Sequence, residues 1–231
     1  MSLTPEQAGA VLTVDLKRIA ENRRAVQARV GSQTRVAAVL KTDAYGLGAE
    51  RVAKALYDTG CRDFFTAYGF EGAALRAVLP SDAKIYALHG VLPDTEADFA
   101  KNDLIPVLST PEQIGRWDAF AERGGVVLPA AIHVDTGMTR LGLTESDVDA
   151  LCANVPENLK IGLVISHLAC ADDPENPNCT TGVTVTYTCT DCNQVIYIER
   201  AKDSWHVYLY QNDAFYTTGL PEADHKHTMG T

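Results

Sequence analysis

A lysine that closes an apolar run is the first residue in this chain suited to covalent chemistry. Lys41 follows Val36-Ala37-Ala38-Val39-Leu40 and leads into Thr42-Asp43-Ala44-Tyr45-Gly46-Leu47-Gly48. Burial disfavours the charged form of an amine, and a neutral amine is the nucleophile that condenses with a carbonyl. From position alone, a surface lysine opening a loop is the competing reading. A second block is Ile132-His133-Val134-Asp135-Thr136-Gly137-Met138-Thr139-Arg140-Leu141-Gly142. Its Arg140 is permanently charged and carries a planar donor fork that suits a carboxylate or another oxyanion. The third block, Ile165-Ser166-His167-Leu168-Ala169-Cys170-Ala171-Asp172, places His167 just past another apolar run. A buried structural histidine is the competing reading there.

The elements that must position these residues follow from hydrophobic pattern. Residues 11–15 read as a short strand. Leu16, Ile19, Ala20, Val26 and Val30 then recur at helical spacing, with Asp15 as N-cap and Gly31 as C-cap. Further strands are expected at 35–41, 62–67, 84–88, 104–108, 128–134 and 161–167. Helices are expected at 47–59, 70–78, 94–101, 111–123 and 145–154. The strands are short apolar runs without clean alternation, the pattern of parallel strands covered on both faces. Repeated βα units imply a parallel sheet, open or closed into a barrel. Near residue 179 the rhythm changes to Thr-rich, period-2 alternation, which predicts three or four short antiparallel strands. The chain divides accordingly into a βα domain over 1–178 and a β-rich segment over 179–231.

Composition narrows the class of partner. The formal net charge of −10 over 231 residues opposes binding to nucleic acid or to an anionic membrane surface. No apolar stretch is long enough to span a bilayer. Met1–Ala10 is polar and has no apolar core of a secretory leader, so a cytoplasmic protein is expected.

The three blocks, in this order and at this spacing, resemble the barrel domain of the alanine racemase family, over residues 8–178. The resemblance implies a TIM-type (β/α) barrel that is incomplete, with about six βα units, followed by the small antiparallel segment. It implies pyridoxal 5'-phosphate as cofactor. Lys41 then matches the lysine that holds the cofactor and serves as one catalytic base. Tyr45 matches the tyrosine beside the cofactor phosphate, Arg140 the arginine at its phenolic oxygen and the substrate carboxylate, and His167 the histidine flanking the ring. Glu71-Gly72-Ala73-Ala74-Leu75-Arg76 is a lesser likeness. Many relatives carry a carbamylated lysine where His133 stands, which implies a different way of orienting Arg140. The implied function is interconversion of L- and D-alanine, supplying D-alanine for peptidoglycan, in a homodimer. The alternative is a truncated or chimeric barrel without racemase activity, or a barrel that binds the cofactor without catalysis.

The resemblance ends near Asn178. A complete member has eight barrel strands and a β-rich second domain. The phosphate-binding serine, the arginine at the pyridine nitrogen and the opposing tyrosine base have no counterpart motif in 179–231. That segment has a motif of its own, Cys189-Thr190-Asp191-Cys192, with Cys179 upstream and His225 and His227 downstream. C-x₂-C is a common zinc half-site. Without a second pair, reduced thiols in a hairpin are the expectation, and no metal.

Overall fold

The computed structural model describes residues 10–169 in full and, between 185 and 217, the backbone of four strands. Six of the apolar runs form one parallel sheet: β1 (Ala38–Val39), β2 (Asp63–Thr66), β3 (Lys84–Ala87), β4 (Leu104–Leu108), β5 (Leu128–Val134) and β6 (Leu159–Ser166). They lie in sequence order, β1-β2-β3-β4-β5-β6, and every pairing is parallel. Parallel neighbours need a crossover, and helices supply it. These are α1 (Leu16–Val30), which precedes the sheet, then α2 (Lys41–Gly46), α3 (Ala49–Tyr57), α4 (Gly69–Arg76), α5 (Glu96–Lys101), α6 (Pro111–Gly124) and α7 (Glu145–Ala153).

Local chemistry explains where the helices begin. The Asp15 carboxylate accepts from the N–H groups of Lys17 and Arg18, and Gly31, with φ of 80°, ends α1. Thr110 caps α6 just ahead of Pro111, whose missing N–H costs nothing in a first turn. Thr144 and Asp147 cap α7 reciprocally.

Alternation along the strands builds two apolar layers. Phe64, Ile85, Leu104, Leu108, Ile132 and Val134 face the helices and pack with Leu56, Leu75 and Trp117. Trp117 is fully buried, stacks on Phe120 at 5.6 Å, and donates its indole N–H to the Pro129 carbonyl at 3.1 Å. The other strand face carries Tyr86, Val107 and Ala131, packed with Phe65, Leu88, Ile105, Leu163 and Ile165. In register terms Val39 sits beside Phe65, Phe65 beside Tyr86, and Tyr86 beside Ile105. This second layer is the inner face of a barrel wall.

Two expectations need correction. Residues 11–15 form no strand; Val11 and Leu12 are 64% and 80% exposed. A strand needs a ladder partner, and among the described residues none lies beside this segment. Strand β1 is two residues long, not seven, because the chain leaves extended geometry at Leu40 and only its β2 side is paired. Among the described residues β1 and β6 are the two edges of the sheet and do not pair with each other.

The antiparallel segment forms as expected. Strands β7 (Val185–Thr188), β8 (Val195–Ala201), β9 (Ser204–Gln211) and β10 (Ala214–Thr217) make a sheet of order β10-β9-β8-β7, each pairing antiparallel. Cys170, Cys179, Cys189, Cys192, His225 and His227 lie outside the described residues, so the C-x₂-C reading does too. Among the described residues no group of side chains has metal-ligand spacing, and no helix is long and apolar enough to cross a membrane.

Candidate active site at the C-terminal rim of the sheet

All four candidate residues stand at the ends of strands on one rim, the edge where barrel enzymes place their chemistry. They fall into two groups. Lys41 and Tyr45 lie after β1. Arg140 and His167 lie after β5 and β6.

The first group is built on an unusual turn. Lys41 opens α2, and the next four residues, Thr42, Asp43, Ala44 and Tyr45, all have φ between 53° and 57°. They form one turn of left-handed helix without a glycine among the four. Each L-residue there costs about 1–2 kcal/mol through contact of Cβ with the following carbonyl. Hydrogen bonds and burial offset that cost. Ala44 N–H donates to the Leu40 carbonyl at 2.9 Å, and Gly48 N–H to the Asp43 carbonyl at 3.0 Å. The Asp43 carboxylate accepts from Ala49 N–H at 2.7 Å, tying the turn to α3. The Ala44 methyl is buried. The Thr42 N–H donates to the Glu71 carboxylate at 2.7 Å. Lys41 is half-buried at the start of this turn, and Tyr45 is exposed at its end.

The second group rests on a returning loop. Asp135 accepts from the N–H groups of Gly137 at 2.9 Å and Thr139 at 3.0 Å. Burial works against its charge, but the N–H groups of Thr139, Gly137 and Met138 outweigh that and hold the carboxyl below its usual range. Leu143 then pairs back onto the strand: its N–H donates to the His133 carbonyl at 2.8 Å, and its carbonyl accepts from Asp135 N–H at 2.9 Å. Gly142 makes the return feasible. Its φ is 118°, and a Cβ there would sit 2.5 Å from the Asp135 nitrogen. The loop so formed displays Arg140, which is exposed, as is His167 beyond β6.

His133, on β5 itself, is electrostatically coupled to both Arg140 and His167. It is buried, and its ring Nδ1 lies 3.5 Å from the Ser109 hydroxyl. Burial first, then the charges of His167 and Arg140, push its pKa down, with Asp135 opposing. These influences favour the neutral imidazole, and they couple the titration of His133 to both His167 and Arg140. The Thr136 hydroxyl meets that of Ser166, linking the loop to β6.

Between the two groups the rim carries residues that pattern reading passed over. Tyr68 stacks on His89 at 4.5 Å, at the ends of β2 and β3. Ser109, directly beyond β4, puts its hydroxyl within 3.5 Å of the His133 ring. Glu71 stood only in a lesser likeness, yet it contacts the lysine turn. Their signal in the sequence is weak because each acts through a partner more than 15 residues away.

A family model described as the alanine racemase N-terminal domain matches residues 14–194. The chain belongs to the alanine racemase family. It is 48% identical over 171 residues to the alanine racemase of Brucella abortus, covering 73% of this chain and 43% of that protein. It is 49% identical over 173 residues to that of Rhizobium meliloti, covering 74% and 45%. In structure it is similar to alanine racemase from Bartonella henselae with covalently bound pyridoxal phosphate, with a TM-score of 0.68 and 36% identity, over 71% of this chain and 48% of that one. The chain thus spans less than half the length of the curated racemases it matches. Among the described residues the matching part is a sheet of six parallel strands with helices packed over one face.

The residues present fit the group that the Bartonella henselae structure holds. Such a group offers an aldehyde for an amine, a phosphate and a phenolic oxygen for donors, and a flat ring to be flanked. The rim offers a half-buried lysine, a tyrosine hydroxyl, an arginine and histidines.

Proposed function

We propose that this chain supplies the lysine-bearing part of a pyridoxal-phosphate-dependent alanine racemase site. The observation that carries the reading is Lys41, set at the end of β1 by a strained left-handed turn, in a chain that is similar to a racemase with that cofactor covalently bound. In this reading Lys41 holds the cofactor and moves the substrate's α-proton on one face. Tyr45 donates to the phosphate, Arg140 to the phenolic oxygen and the substrate carboxylate, and His167 flanks the ring. The bound cofactor would supply an electron sink for the charge left when the α-proton departs. His133 stands where many relatives carry a carbamylated lysine, so in this reading Arg140 is oriented in a different way. Alanine as substrate, D-alanine supply for peptidoglycan, a cytoplasmic setting and a homodimer complete the proposal. So does a division at residue 178 between the barrel portion and the β-rich segment.

Racemisation needs a second acid–base group on the opposite face, and such a group contributes about 10²–10⁴-fold in rate. A second reading keeps a cofactor-holding barrel without racemase activity, since among the described residues β1 and β6 are the unpaired edges of the sheet. One experiment separates the two. Purified protein is mixed with pyridoxal phosphate, scanned for the visible band of lysine-bound cofactor, and then assayed for conversion of L- to D-alanine. A band absent in Lys41→Ala, together with conversion, supports the racemase. A band without conversion supports the second reading. No band in folded wild-type protein overturns both.

A further inference from the structure

One carboxylate joins the ends of two strands at the rim. Oε1 of Glu71 accepts from Thr42 N–H at 2.7 Å. Its Oε2 accepts from Ala67 N–H at 2.7 Å and from Tyr68 N–H at 3.1 Å. Thr42 is the residue next to Lys41, whereas Ala67 and Tyr68 lie directly beyond β2 at the start of α4. We propose that Glu71 is a positioning residue for Lys41: a carboxylate strap that holds the left-handed turn against the rigid β2–α4 corner.

Three features of the geometry argue for this. The turn is intrinsically unfavourable, so something outside it must select it. The Thr42 N–H lies at its entry, and its acceptor is the Glu71 carboxylate rather than a neighbouring backbone carbonyl. The acceptor is ionised and divides its two oxygens between the two strand ends, so both sets of bonds are charge-assisted. Glu71 is itself held by α4, whose Gly72 and Leu75 are buried in the core. A lysine one peptide from such an anchor keeps its backbone fixed while its side chain stays mobile enough to react.

The inference rests on the reading of Lys41 as the cofactor lysine, and its test separates the two. Glu71→Gln preserves shape but has one acceptor oxygen; its NH₂ must oppose either Thr42 or the Ala67/Tyr68 pair. In the whole chain, hydrogen exchange at the Thr42 amide should quicken about tenfold or more, with α6 amides unchanged. The apparent dissociation constant for pyridoxal phosphate, read from the visible band, should rise about tenfold. Glu71→Asp keeps a carboxylate for the start of α4 but falls a methylene short of Thr42. It gives the same test should Glu71→Gln not fold. Unchanged Thr42 exchange overturns the strap. Faster exchange with unchanged cofactor affinity overturns the positioning role. No band in the wild-type chain overturns the cofactor reading and the positioning role with it. The exchange measurement, which needs no cofactor, tells that failure from failure of the strap.

Discussion

His133 shows how one side chain can report on its neighbours. Its pKa is lowered by burial and by the nearby charges of His167 and Arg140. In the unfolded chain a histidine takes its proton near pH 6.5, whereas in the folded chain it resists until lower pH. Below about 6.5 the unfolded state therefore binds more protons, and stability falls as pH falls until the folded group titrates as well. Replacing His133 with Asn removes that difference. Urea midpoints measured at steps between pH 7.5 and 5 should decline less steeply in His133→Asn than in wild type. Equal slopes would mean that His133 titrates as it does in an unfolded chain. The identity of His133 is plain in the sequence. Its company with Arg140 and His167 is not, because it arises from register between β5 and β6, where His133 lies beside Ile165.

At the scale of elements, the most instructive segment is α2. Sequence pattern placed a glycine-containing turn after Lys41 and a helix from residue 47. Gly46 and Gly48 do take positive φ, but so do four non-glycine residues before them. Propensity argues against a left-handed turn in Thr-Asp-Ala-Tyr, and contacts from α3, α4 and Leu40 override it. Thr42 is exposed and β-branched at φ of 56°. Thr42→Gly should remove about 1–2 kcal/mol of steric cost and add about 0.5–1 kcal/mol of backbone entropy cost. The expected net effect is a rise in Tm of about 1–4 °C, measured by thermal melts. A fall would show that the turn is not strained at Thr42. The other helices were legible because their signals are local: hydrophobic period marks them, and Asp15 caps α1 as its type predicts.

At the scale of the whole molecule, the edges of the parallel sheet have physical consequences. Among the described residues β1 is paired on one side only, and it lines an apolar groove of about 320 Å³ between α1, β1, α2 and α3, with Val26, Val39, Leu47 and Tyr45 among its walls. Val39 is 44% exposed. An unpaired edge beside apolar surface favours association with another chain. Sedimentation of the wild-type protein should show self-association that grows with concentration, and Val39→Lys should weaken it by placing a charge on that edge. Identical profiles for the two proteins would place any association elsewhere on the surface.

The amino-acid sequence by itself determined the family, the parallel βα order and the antiparallel segment, and it pointed to Lys41, Tyr45, Arg140 and His167 as candidates. Each of these is written in a local string or in hydrophobic period, which depends only on nearby residues and on which face is buried. Tertiary structure decided that residues 11–15 lack a strand partner and that β1 stops at Val39. It also decided that the lysine turn is left-handed and that Glu71, 29 residues from Thr42, holds it. These depend on hydrogen-bond partners brought together by folding. A backbone conformation that costs energy locally becomes favourable only where such distant partners are in place.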